Sequence, residues 1–230
     1  MRRRAPTFLT LAISLALGIG LAACTGEFPA TSACPEEARA AGTLPELELL
    51  LPSELAGKAP TTLDSGWNCL STTLGSYALH GVTRLEFAGA TWDAGNGDGA
   101  VAAVFRTATA DPELQTPWVE EFYEGSARAS RGVENVETTR PRMDGAGEVW
   151  RLDALSNLSL QTIVVWPDGD HVHVALVAST VEPGASRDAH ESRVDETVLA
   201  ASSVEAGGSI PPPATSPRAS AFGSVLLSPA

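Results

Sequence analysis

His171 and His173 alternate with Val172 and Val174, so both imidazoles project from one face of a predicted strand. Asp168 and Asp170 lie just before them. Two histidines at this spacing ligate a metal only when further ligands converge, because metal sites need three or four. The pattern by itself supports a solvated strand face opposite a core face of Val172, Val174 and Leu176. Asp93, Asn96 and Asp98 are oxygen donors in a Gly-rich turn, but the alternate positions after Asp93 are Gly95 and Gly97. A calcium loop of the EF-hand kind needs acids or amides there, so the segment reads as a hairpin loop. Hydrolase spacings fail in turn. Gly125-Ser126 lacks the flanking glycines of a nucleophile elbow. His190-Glu191 needs a histidine at 194 to begin a zinc-protease motif, and that position is Val194. No Gly-rich phosphate loop follows a strand. These residues predict no catalytic centre, no metal and no cofactor.

Cysteine supplies the remaining chemistry. Arg2, Arg3 and Arg4 precede an uncharged, mostly apolar run from Phe8 to Ala23, which ends in Leu21-Ala22-Ala23-Cys24. A basic segment, an apolar segment and a small-residue cleavage site are the layout of a secretory signal peptide. The apolar run is broken by Thr10, Ser14, Gly18 and Gly20, and a membrane span needs about 20 consecutive apolar residues. The spelling resembles the bacterial lipoprotein signal, whose lipobox is a leucine, two small residues and the cysteine that becomes lipidated. The resemblance implies residues 1–23 as a cleaved leader and Cys24 as the lipidated residue. It also implies a chain held on the extracytoplasmic face of a cell membrane by acyl chains. One chain binds a bilayer only marginally and two hold it.

Cys34 and Cys69 remain. An even pair in an exported protein favours a disulfide, and on the chain-entropy model a loop of this size contributes about 3–4 kcal/mol before native strain. Without the leader, three of the 15 basic residues are gone, leaving 12 against 28 acids and a formal charge of −16. Lys58 is the only lysine. Such a surface repels nucleic acid and anionic headgroups, which makes neither an expected partner.

The elements that must position these residues are legible from periodicity. Residues 24–43 are small, polar and Pro-broken and read as a tether. Residues 205–230, with Pro211-Pro212-Pro213, read as a disordered tail. Between them, 44–204 is one domain. Asn68–His80 reads as a short helix with Gly81 just past its end. Val82–Trp92 and Ala100–Ala108 read as strands. Thr116-Pro117 opens a helix, Thr as its cap. On that helix Trp118, Phe122, Gly125 and Ala129 share one face, and Glu120, Glu121 and Glu124 the other. Val133–Thr139, Glu148–Leu155, Leu160–Trp166 and His171–Ser179 read as strands, the last two joined by a turn at Pro167-Asp168-Gly169. Ser186–Ala201 is the last helix.

The fold class that follows is α+β: an antiparallel sheet with helices packed on one side. Its order, with the apolar hairpin Leu160–Pro167 and Val172–Val177 before a terminal helix, resembles the PsbP-like fold of LpqN-type lipoproteins. That resemblance implies a binding or accessory role and no chemistry, because fold does not fix function. The expectation is a membrane-anchored, non-catalytic module in the cell envelope. Its partners would be the membrane through Cys24, and a small apolar ligand held on Trp faces or an envelope protein. An enzyme assembled only in the fold, or a small solute-binding lipoprotein, is the alternative.

Overall fold

The strand His171–Thr180 shows why the sheet is sandwiched. Val172, Val174 and Leu176 join one apolar cluster, and Ala175 and Val177 join another. A strand buried on both faces needs a near-continuous apolar run rather than strict alternation, and this segment has one. The computed structural model describes residues 39–95, 97–156, 159–181 and 187–204. In chain order they form β1 (Arg39–Ala40), α1 (Pro45–Glu48), β2 (Thr62–Asn68), α2 (Ser71–Leu74), a 3-10 turn (Gly75–His80), β3 (Leu85–Gly95), β4 (Asp98–Thr107), α3 (Thr116–Ala129), β5 (Val133–Thr139), β6 (Arg142–Met143), β7 (Gly147–Glu148), β8 (Trp150–Ser156), β9 (Ser159–Asp168), β10 (His171–Thr180) and α4 (Arg187–Ser202).

Eight strands make one sheet in the order β1-β2-β3-β4-β10-β9-β8-β5, and β6-β7 form a separate ribbon. Every pairing is antiparallel. The α+β class, the antiparallel sheet and the single domain are as the pattern predicts. The one-sided helix layer is not. Leu47 of α1 and Val194 and Val198 of α4 pack on the face carrying Ala102, Val164 and Ala175. Val119 and Tyr123 of α3, with Leu74 and Tyr77, pack on the face carrying Phe105, Val165 and Val174. The physical reason is area. The central strands are apolar on both faces, and each Å² left wet would forgo about 25 cal/mol.

Local differences have equally local causes. The helix expected over 68–80 breaks at Gly75, whose φ of 54° lies in the left-handed region. An added Cβ there would lie 3.2 Å from the Phe122 ring. Thr116 is the first residue of α3, not its cap; Gln115 holds the cap position without a side-chain hydrogen bond. The buried stripe of α3 runs through Val119 and Tyr123, and it carries Glu120 inward. Glu120 accepts 3.1 and 2.6 Å bonds from the Arg140 guanidinium, which offsets its burial. Pro167 belongs to β9 opposite Val172, so the turn residues are Gly169, at φ 61°, and Asp170. Arg39 and Ala40, inside the expected tether, already pair with Gly66 and Ser65. No helix among the described residues is long and apolar enough to cross a membrane.

Candidate functional site

The two strand histidines do not form a metal site. His171 Nδ1 lies 2.8 Å from Asp170 Oδ1 at the surface. His173 is buried and stacks on Trp166, with ring centroids 5.4 Å apart. Burial pushes its pKa down to about 4, and His171 adds to that; Asp168, 3.8 Å away, opposes it. The solvated face expected for this pair is therefore core at His173. Asp93 and Asp98 diverge: Asp93 Oδ1 accepts the Gly95 N–H at 2.8 Å, and Asp98 accepts the Thr180 N–H and faces Arg193. Asn96 lies outside the described residues. No cluster of three metal-ligating side chains exists among the described residues. Ser126 sits inside α3 with its carbonyl accepting the Ser130 hydroxyl. Cys24 and Cys34 lie outside the described residues; Cys69 is half-buried just after β2.

The aromatic platform expected for an apolar ligand is absent from the sheet centre. Trp92, Trp150 and Trp166 are 7, 5 and 2 % exposed, in the two cores. Trp118 stacks on His80 at 4.6 Å, and Trp67 carries the Arg84 guanidinium at 4.5 Å. Aromatic side chains serve here as anchors and stacking partners within the fold.

The fold instead gathers titratable groups in a cleft of about 200 Å³ between β5, β8, β9 and the first turns of α4. Glu137, Asp153, Gln161, Thr162, His190 and Glu191 line it. Its β5 wall is irregular. The β5–β8 register shifts between Glu134 and Glu137, and Asn135 holds a φ of 52°. A bulge of this kind re-aims side chains, and Asn is the residue that tolerates left-handed backbone best after Gly.

Hydrogen-bond logic fixes the protonation of this cleft. Thr162 Oγ1 lies 2.6 Å from Asp153 Oδ1 and 2.8 Å from His190 Nε2. An ionised carboxylate only accepts, so the Thr162 hydroxyl donates to Asp153 and accepts from His190 Nε2–H. A neutral imidazole then has Nδ1 as acceptor, and Ser179 Oγ, 2.9 Å away, donates to it. Ser179 in turn accepts from Arg193 Nη1 at 3.0 Å. Neutral His190 agrees with its lowered pKa, which burial drives, with Arg151 and Arg193 adding, against Glu191 and Asp153. Arg151 closes the far end, donating at 2.8 Å to each Asp153 oxygen and at 2.7 Å to Glu191 Oε2.

The result is a one-way chain, Ser179 to His190 to Thr162 to Asp153, that joins β10, α4, β9 and β8. Both His190 nitrogens are engaged, and so are both oxygens of Asp153. The Nδ1 lone pair of His190 is directed at the Ser179 hydroxyl proton in this arrangement, while Nε2–H is held by Thr162. Glu137 and Gln161 on the strands and the Arg187–Glu191 pair, 3.7 Å apart on the helix, line the cleft beside the apolar Ala154, Leu155 and Leu160. Sequence reading met His190 only as a failed zinc motif. The i, i+3 spacing of Arg187, His190 and Arg193 was the available sign that one face of α4 carries polar groups to the sheet. No family model, curated protein or solved structure matches this chain.

Proposed function

We propose that this chain is an exported lipoprotein, held on the extracytoplasmic face of a cell membrane through acyl chains on Cys24. Its domain binds a small polar ligand in the His190 cleft and does not turn it over. The observation that carries the binding reading is the closed relay around His190. It joins three strands and α4 around the cleft and holds Asp153, Thr162 and His190 in one hydrogen-bonded set, which supports recognition of a polar ligand. A volume of about 200 Å³ is the share of roughly six or seven waters at ~30 Å³ each, so the ligand is small. The lipobox spelling supports the anchor, and the acidic surface supports a partner other than nucleic acid. Recognition would come from Gln161 and Glu137 on one wall and the Arg187–Glu191 pair on the other.

The test is native mass spectrometry of the full chain isolated in detergent from its own envelope, paired with a broad hydrolase screen on the same preparation. The expected result is a small polar adduct that Gln161→Trp, which fills the cleft, removes and Glu137→Gln weakens. Turnover that disappears in His190→Ala would replace the binding module with an enzyme. An adduct that survives both cleft substitutions would place the ligand elsewhere.

A further inference from the structure

A second cleft of about 200 Å³ shares no lining residue with the first. It lies between the Leu55–Lys58 turn, the adjoining ends of β3 and β4, and α4. Its charge make-up is unusual for this chain. Lys58 and Arg193 line it, and so do Asp93 and Glu196. Two cations and two carboxylates thus line one cleft in a protein of net charge −13, with Asp98 3.7 Å from Arg193 beside it. No ion pair joins Lys58 or Arg193 to Asp93 or Glu196 among the described residues. Arg193 is held to one side by Ser179 at 3.0 Å and Asp98 at 3.7 Å. Asp93 spends Oδ1 on the Gly95 N–H, which leaves its other oxygen to accept.

The walls are built to hold this arrangement. Leu55 and Lys58 exchange backbone hydrogen bonds of 2.9 and 3.0 Å across Ala56 and Gly57. Their φ values of 52° and 70° are both left-handed, as a two-residue hairpin turn of this hand requires. Gly57 adopts that conformation freely, whereas Ala56 adopts it under strain, and strain of this kind persists where the surroundings over-determine it. They do so here: the Lys58 carbonyl also accepts the Trp92 indole N–H at 2.9 Å. On the opposite wall a Cβ at Gly99 would sit 2.8 Å from the Trp92 carbonyl oxygen, so no side chain fits there. The backbone that carries Lys58 is therefore fixed against the indole that lines the floor.

We propose that this second cleft binds a small zwitterion of amino-acid size, its carboxylate on Lys58 and Arg193 and its ammonium on Asp93 and Glu196. An anion alone would meet two unshielded carboxylates, and a cation alone would meet two cations. A molecule with both charges a few bonds apart meets partners of both signs, and a cleft of about 200 Å³ suits a small one. The site is independent of the His190 cleft.

The experiment follows the Trp92 indole N–H by two-dimensional NMR of the full ¹⁵N-labelled chain in detergent. The probes are L-alanine, sodium acetate and methylammonium chloride. Alanine should shift that resonance saturably, and acetate and methylammonium should bind at least about tenfold more weakly. Lys58→Ala and Glu196→Gln, both at exposed side chains, should each weaken alanine by about tenfold. Lys58→Gln serves as the substitute where Lys58→Ala lowers the melting temperature. Gln161→Trp should leave alanine binding unchanged, which separates this site from the first cleft. The proposal fails if alanine gives no saturable shift, if acetate binds as tightly as alanine, or if alanine binds Lys58→Ala and wild type equally.

Discussion

His173 makes the fold acid-sensitive, and the size of the effect follows from its burial. In the folded chain its pKa is lowered from 6.5 to about 4. In the unfolded chain the ring titrates near its ordinary value of about 6.5. Above that pH neither state holds the proton, so the full stability is present. As pH falls below it the unfolded chain binds a proton that the folded chain refuses, and stability drops until the folded pKa is reached. Linkage puts the loss at about 2 kcal/mol by pH 5, a large share of a typical 5–15 kcal/mol. The perturbation is His173→Leu, which keeps an apolar group beside Trp166 and removes the titration. The assay is urea denaturation of wild type and variant between about pH 7 and pH 5, followed by tryptophan fluorescence. The difference in stability between the two proteins should shift by about 2 kcal/mol across that range in favour of the variant. His190, lowered in the same direction, and Asp64, raised chiefly by burial, are common to both proteins and cancel. Parallel loss in wild type and variant would refute the assignment of the proton to His173.

Three further outcomes are expected. Val165 is fully buried opposite Trp150 and Val174, so Val165→Asp should abolish cooperative melting, since an unpaired buried charge costs several kcal/mol; a wild-type melting curve would contradict the placement. Cys24→Ser should release the protein from membranes or leave uncleaved precursor, read by fractionation, and acylated mature protein in that variant would overturn the lipobox reading. Peptide mapping without reduction should find Cys34 linked to Cys69, as parity in an oxidising compartment requires, and alkylation of both thiols without reductant would exclude the bond.

Periodicity carried the strands well, because the period of two is local. The Leu160–Ser179 hairpin is readable from Ile163-Val164-Val165 facing the Val172–Leu176 stretch, within which the sheet pairs them with Leu176, Ala175 and Val174. The same density of apolar residues contained the information that both faces are buried. A reading that assigned His173 to solvent overlooked that Ala175 and Val177 share its face. Helix rotation was harder. The fully buried stripe of α3 is Val119 and Tyr123, with Trp118 and Phe122 packed at its edge, and the Arg140 contact that accommodates Glu120 beside it spans 20 residues of sequence. Tryptophan roles were not legible at all. Trp92 lies between Thr91 and Asp93, and Trp166 between Val165 and Pro167; the layer of α1 and α4 makes both core.

The His190 relay marks the boundary of what one sequence discloses. Its members are Asp153, Thr162, Ser179 and His190, each unremarkable alone, from three strands and one helix. Their meeting depends on the β8-β9-β10 register and on α4 covering the face opposite α3. Topology decides that layer; composition does not. The chemistry follows from the meeting in turn. Arg193 can only donate and an ionised Asp153 can only accept, so with a neutral imidazole between them the two hydroxyls have one consistent arrangement. A histidine that ties a helix to a sheet engages both ring nitrogens. His190 uses both, in a cleft whose wall contains a bulge.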